Sequence, residues 1–453
     1  MKKLLLFAAF LVAFSSQAQE FWTEWPTGQP AATTGMRSIS IVDDNITWIS
    51  PSCGTTGCTA IRRYAKTVNG GTVWTTGVVD LGANSINLEI ANICGISADV
   101  AYAAVFPKPG AVGGIYKTIN GGTTWTRQNT AVFNDAASFT NLVHFFNANE
   151  GVCMGDPAGG SFEIYTTTNG GTNWTRIGGL PAAIDEEEYG LTNKFTAKGN
   201  TVWIGTTFGR ILKTTDKGAT WTVSQSPILD FGGGINGDGT GDLAFTDQNN
   251  GLLMTGDDYL LYATTDGGVT WTENAVWTGS LRNFGLSDIP GLPNTYVCVG
   301  EDLDNTERGS SYSTDGGTTW VNINNAPDEN FVQGGVIAFL NPSTGFASGF
   351  STSAAVGGIY KWNADHDPFL ASISFSSDKA FTATPNPTAG NLNIAGKNIS
   401  NVAVYDILGK QVSSTNCSAL NNVSVNLGAL TNGVYMVKVT NDLGTSAIKV
   451  VKK

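Results

Sequence analysis

The chain is predicted to be all-β: a seven-bladed β-propeller followed by a small immunoglobulin-like β-sandwich. Three observations predict it. A short phrase, cleanest at residues 116–126 (YKTINGGTTWT), occurs six times, and its tryptophans, Trp74, Trp125, Trp174, Trp221, Trp271 and Trp320, are 51, 49, 47, 50 and 49 residues apart. A period near fifty with short alternating strands between copies marks a propeller and not a helical solenoid. A second line, made of an apolar strand, a polar turn and another strand, recurs seven times, starting at Ile39, Ile93, Leu142, Phe195, Leu243, Ile289 and Val336. After residue 368 the period stops and a different strand pattern begins.

Each copy of the phrase reads as a hairpin turn. Asn69, Asn120, Asn169, Asp216, Asp266 and Asp315 are placed to hydrogen-bond their own backbone two residues on, and the glycines next to them supply positive φ. The tryptophan then offers a flat apolar surface to wedge between neighbouring sheets. The phrase resembles the Asp-box, or BNR repeat, of sialidases, sortilin-type receptors and photosystem II stability-factor-like proteins. In those families the box is structural, so the resemblance implies architecture and not activity.

Seven lines against six complete boxes leave one blade short of a strand. The seventh blade begins its third strand, since residues 357–361 (GGIYK) repeat residues 113–117 (GGIYK), and then stops without the Gly-Gly-Thr-x-Trp run. The missing outer strand is expected at the other end of the propeller, where Phe21-Trp22-Thr23-Glu24 matches the Thr-Trp-Thr-x run that other blades carry after their glycines. Closing the ring this way removes an exposed sheet edge. Up-and-down strands put the box turns on one face and the loops 128–140, 178–193, 225–242, 275–288 and 324–335 on the other. Variable loops on a rigid scaffold are the usual place for binding.

The last part of the chain carries Pro385-Asn386-Pro387-x-x-Gly390, then Tyr405-Asp406-x-x-Gly409-Lys410, then Leu430-x-x-Gly433-x-Tyr435 and a basic terminus. These motifs, in this order, resemble the type A C-terminal sorting domain of the Bacteroidetes type IX secretion system. The resemblance implies export across both membranes, the type IX machinery as partner, and a secreted or outer-membrane-surface destination. The resulting division is a signal peptide at 1–18, the propeller at 19–370, and a linker with the sorting domain at 371–453.

Composition agrees with this division. Lys2 and Lys3, an apolar run at 4–14 and Ser16-Gln17-Ala18 read as a secretory signal. No other run is long and apolar enough for a membrane-spanning helix. Residues 19–370 hold 34 acidic and 16 basic side chains, whereas residues 371–453 hold 3 and 7. An acidic body disfavours nucleic acid and anionic lipid as partners. Of six cysteines, Cys53 and Cys58 bracket a short loop suited to a disulfide, and Cys94, Cys153 and Cys298 sit in apolar strands as buried thiols.

Catalytic constellations are thin. The only histidines are His144 and His366, no G-x-S-x-G or HExxH occurs, and the eight arginines suggest no sialidase-like triad. The acids Asp156, Asp257, Asp258, Glu301 and Asp302 start equivalent loops, with Glu186 and Glu187 on the same face, and are expected to approach one another around the axis. Calcium would be the occupant if any, because every ligand there is a hard oxygen. Asn236, Asp238, Thr240 and Asp242 alternate with glycines as in a calcium loop, but no helices flank them. No cofactor is otherwise expected. The reading is a non-catalytic module binding a glycan, peptide or surface partner. The alternatives are a glycoside hydrolase, using Asp156 and Glu186–Glu188 beside Tyr189, Phe208 and Trp277, and a purely structural surface protein.

Overall fold

The computed structural model describes residues 21–363 and 381–453, apart from 31–33, 55–61, 83–86, 108–111, 233–240, 257, 304–307, 326–334, 407–409 and 442–443. Two compact units divide between Asp367 and Pro368. The first is a ring of seven blades of largely antiparallel strands, with blades 1 and 7 joined into one sheet where Thr34 pairs with Ser351. β1 (Trp22–Pro26) precedes blade 1, which is β2 (Thr34–Ile41), β3 (Thr47–Cys53), β4 (Arg63–Thr67) and β5 (Thr75–Val78). Blade 2 is β6 (Leu88–Gly95), β7 (Ala101–Pro107), β8 (Gly114–Thr118) and β9 (Thr126–Arg127). Blade 3 is β10 (Thr140–Phe145), β11 (Gly151–Ala158), β12 (Ser161–Thr167) and β13 (Thr175–Arg176). Blade 4 is β14 (Gly190–Lys198), β15 (Thr201–Thr206), β16 (Arg210–Thr214) and β17 (Thr222–Gln225). Blade 5 is β18 (Gly241–Phe245), β19 (Gly251–Thr255), β20 (Leu261–Thr264) and β21 (Thr272–Glu273).

Blade 6 departs from the expected register. A short β22 (Thr278–Gly279) runs parallel to the outer strand, and the blade proper is β23 (Gly285–Asp288), β24 (Tyr296–Glu301), β25 (Arg308–Ser313) and β26 (Thr319–Asn325). Its inner strand ends before Ile289, where the sequence reading began it, because Pro290 and Pro293 remove the donors a strand would need. The segment 275–288 is therefore not one variable-face loop: Gly279 lies against the Trp320 carbonyl, closer than any side chain would allow. Blade 7 is β27 (Ile337–Asn341), β28 (Thr344–Ser353) and β29 (Val356–Trp362), completed by β1 through Trp22 opposite Trp362 and Pro26 opposite Gly358. The first strand thus takes the outer position of blade 7, as expected, and the bridge between Thr34 and Ser351 also joins blades 1 and 7.

The local chemistry of the turns explains the repeat. In each box, the backbone N–H of Gly71, Gly122, Gly171, Gly218, Gly268 or Gly317 donates to Thr67, Thr118, Thr167, Thr214, Thr264 or Ser313 Oγ at 2.8–3.0 Å. The box Asn or Asp Oδ1 accepts from the N–H four residues on, at 2.8–2.9 Å, and not two residues on as the sequence suggested. Glycines such as Gly121 (φ 69°) and Gly122 (φ 93°) turn the chain tightly enough to close that longer ring. The two-residue reach belongs instead to the first hairpins, where Asp43, Ser97, Asn147 and Asp247 accept from N–H groups two and three residues on.

Packing between blades runs through the boxes. Trp125 of blade 2 lies edge-on to Trp48 and Tyr64 of blade 1, with ring centres 6.3 and 6.0 Å away. Trp48 donates to Ser97 O at 2.8 Å, Tyr102 to Gly170 O at 2.6 Å and Trp203 to Gly267 O at 2.8 Å, each reaching into the following blade. The Trp125 wedge is thus an apolar contact, and the hydrogen bonds into the following blade come from second-strand aromatics.

The second unit has β30 (Thr382–Thr384), β31 (Asn391–Tyr405), β32 (Gln411–Asn426), β33 (Gly433–Asn441) and β34 (Gly444–Lys452). The expected sandwich of two sheets is not confirmed: the strands form one five-stranded sheet, in which β31 carries bulges between Ala395 and Asn401. Bulges let a long strand bend, and Leu392, Ile394, Val402, Val404, Val425 and Val437 share one buried cluster. Asn386 clamps the terminal strand, donating to Lys449 O at 2.7 Å and accepting from Val451 N at 2.9 Å. Asp406 closes its turn by accepting from Lys410 N at 3.0 Å, and the Tyr435 hydroxyl donates to Thr431 O at 2.7 Å. Gly409 lies outside the described residues.

Candidate functional site

The innermost strands of all seven blades enclose a channel with a cavity of about 440 Å³. Its polar lining includes Arg37, His144, Lys194, Lys198, Asp242 and Asp288, and its apolar walls include Phe195, Leu243, Val336 and Phe339. The edges of these inner strands would present unpaired backbone groups, and side chains of the neighbouring blade answer them. Ser38 Oγ accepts from Ile93 N at 3.1 Å. Asn92 exchanges two bonds of 2.9 Å with Val143. Asp242 Oδ2 accepts from Leu286 N at 2.9 Å while Oδ1 accepts from Leu243 N at 3.0 Å.

Charge in the channel is mostly matched. Arg37 pairs with Glu89, and Lys198 with Asp288. Burial lowers the Arg37 pKa, with Glu89 opposing the shift. Burial raises the carboxyls of Asp242 and Asp288, against the pull of Lys194 and Lys198 respectively. His144 stands edge-on to Phe146, 4.9 Å between ring centres, and burial pushes its imidazole down to about 4.

The variable face looks different from the expected ring of acids. Asp156, in β11, accepts from Asn141 Nδ2 at 3.0 Å and Gly190 N at 3.1 Å, which ties blade 3 to blade 4. Burial pushes its carboxyl up to about 7. Glu301 receives Arg308 through Nε at 3.0 Å and Nη2 at 2.9 Å, and the Asp302 carbonyl accepts the Tyr259 hydroxyl. Glu186, Glu187 and Asp258 are exposed, and Asp257 lies outside the described residues. Glu188 is the buried member of its run; Oε1 lies 3.2 Å from Arg210 Nε and Oε2 accepts from Ile184 N at 2.9 Å. Among the described residues no group of three acidic, histidine or cysteine side chains is placed to hold a metal ion.

Of the calcium-loop candidates, Asn236, Asp238 and Thr240 lie outside the described residues, and Asp242 is the blade-bridging carboxylate of the inner strand. Cys53 is disulfide-bonded, Cys58 lies outside the described residues, and Cys94, Cys153, Cys298 and Cys417 are free. Sequence reasoning missed Lys194, Lys198, Asp288 and the place of Arg37. For Arg37 and Lys194 the signal was the extra residues that bulge β2 and β14, visible only once the strands are paired; Lys198 and Asp288 lie in regularly paired stretches of strand and carried no such signal.

Residues 383–453 match the family of secretion system C-terminal sorting domains, and residues 83–229 match that of photosynthesis system II assembly factor YCF48. YCF48 from Cyanidioschyzon merolae superposes with a TM-score of 0.51 at 16% identity, over 76% of this chain and all of that one. The chain is an Asp-box propeller with a type IX sorting domain. This Asp-box propeller also aligns with the GH74 xyloglucanase from Xanthomonas campestris (TM-score 0.47, 11% identity, 94% of this chain and 74% of that one). A Trypanosoma rangeli sialidase aligns at a TM-score of 0.41 and 11% identity, over 94% of this chain and 86% of that one. No curated protein sequence matches the chain. The sorting domain assigns the Asp-box propeller to export by type IX secretion, to the cell surface or the extracellular space, with the type IX machinery as partner. Among the described residues no helix is long and apolar enough to cross a membrane.

Proposed function

We propose that the propeller is a non-catalytic binding module, displayed or released by type IX secretion, that takes a glycan, peptide or surface partner on its variable face. One observation carries this reading. Three buried carboxylates of that face are committed to contacts within the scaffold: Asp156 to Asn141 and Gly190, Glu188 to Arg210 and Ile184, and Asp230 to Gly232. Acid–base hydrolysis of a glycoside needs two carboxylates free to face the substrate across a fixed gap. Exposed acids of that face, among them Asp185, Glu186, Glu187 and Asp258, lie alongside the exposed aliphatics Ile184, Leu229, Leu303 and Val356. Charge beside apolar anchors suits recognition of a partner surface.

The test is an array of glycans and peptides probed with the secreted protein, with release of reducing ends measured in parallel. Retention of a probe without product supports binding, and substitution of Leu229 and Ile184 by Ser should weaken it. Turnover of any retained glycan that is lost in Asp156→Asn would establish the hydrolase instead.

A further inference from the structure

We infer that the central channel is a binding site for a small organic carboxylate, with Lys194 as its anchoring cation and Arg37 as a second donor. This reading is independent of the variable face. The other charged side chains along the channel have direct partners: Lys198 has Asp288, Glu89 has Arg37, and the Asp242 oxygens accept two backbone N–H groups. Among the described residues the half-buried Lys194 ammonium has no ion-pair or hydrogen-bond partner, and the buried Arg37 Nε has none either. Asp242 feels the Lys194 charge without touching it. The surplus is therefore one of donors, and an oxyanion is the ligand that satisfies it.

The backbone supports the same conclusion. Arg37 occupies a bulge of β2, where Met36 to Ser38 spans two steps against one on β3. Lys194 occupies a longer bulge of β14, where Gly190 to Phe195 spans five steps against two on β15. Bulges also interrupt the inner strands β6, β10 and β27, whereas those of blades 5 and 6 pair regularly; β2 and β14 differ from the other bulged strands in placing a cation within the irregular stretch. Bulges re-aim side chains and gather beside functional sites, and here two of them bring cations to the channel wall. A cavity of about 440 Å³ falls in the size range of small-molecule sites, and Phe195 and Leu243 supply apolar wall for a carbon skeleton.

The experiment is calorimetric titration of the intact secreted protein with succinate and citrate, and with succinamide as the uncharged counterpart. At least one carboxylate is expected to bind and raise the thermal midpoint, with succinamide silent. Lys194→Met should weaken binding about tenfold or more, and Lys194→Arg should retain most of it. Should Lys194→Met fail to fold, Lys194→Gln gives the same comparison. Absence of binding by both acids, equal binding of succinamide, or unchanged affinity in the Lys194 variants would overturn the proposal.

Discussion

Trp22 lies edge-on against Trp362, 5.0 Å between ring centres, and the two residues face each other directly across β1 and β29. Trp22 also packs on Phe339 and donates its indole N–H to Ser310 Oγ of blade 6 at 2.9 Å. One residue from the start of the propeller thus closes blade 7 and fastens it to its neighbour.

Removing residues 21–26 should therefore lower the thermal midpoint far more than removing residues 381–453. Trp22→Ala alone should cost about 3–5 kcal/mol through the cavity it leaves. Calorimetry of the three variants checks this, and equal midpoints for the two truncations would contradict the closure.

The box tryptophans and the box Asn or Asp residues should separate in size of effect. Trp125→Ala opens the interface with Trp48 and Tyr64 and is expected to cost about 3–5 kcal/mol. Asn120→Ala removes three bonds in an exposed turn, from Thr124 N and Thr118 Oγ1 to Oδ1 and from Nδ2 to Thr124 Oγ1, and is expected to cost about 1–2 kcal/mol. Urea unfolding of both variants gives the comparison; a larger loss for Asn120→Ala would mean that the turn, not the wedge, holds the blades.

Two buried groups give opposite dependences on pH. Asp156 has its carboxyl raised to about 7, so the folded chain keeps a proton that the unfolded chain sheds near pH 4. Its contribution is greatest below that and is lost as pH rises toward 7, by about 4 kcal/mol at most. His144 is lowered to about 4, so its contribution is present above about pH 6.5 and is lost as pH falls through that range. Asp156→Asn keeps the acceptor for Asn141 and Gly190 without the charge. It should be more stable than the parent at pH 8, near parity at pH 4, and should unmask the acid loss due to His144. A midpoint difference that does not change with pH would show that Asp156 does not titrate in this way.

Sorting should fail without the second unit. A chain ending at residue 380 is expected to stay in the periplasm as a folded propeller, and Asn386→Ala should reduce export by releasing the terminal strand from its clamp. Immunoblots of periplasm and medium measure both, and normal release of the truncated chain would exclude a sorting role.

The blades were legible in the sequence because each box is self-sufficient. Its side-chain hydrogen bonds join residues at most four apart, so Thr118, Asn120 and Gly122 spell the turn locally and repetition counts the blades, while one further bond, such as Gly121 N to Asp99 O, ties the turn to the first hairpin. Closure was legible for the same reason, since Trp22 belongs to a box phrase cut in two. The sorting domain was legible as short motifs, although the bending of β31 within one sheet was not, because bulges depend on the strand opposite. The site was where local reading failed. Asp156, Glu301 and Asp302 read in the sequence as starts of equivalent loops, yet Asp156 and Glu301 lie in strands, and what each carboxylate or carbonyl does was decided by Asn141, Arg308 and Tyr259, partners supplied by tertiary contact. Arg37 and Lys194 carry no motif at all. They reach one channel because seven strands distant in sequence converge on an axis, and because bulges set by cross-strand register turn those two side chains inward.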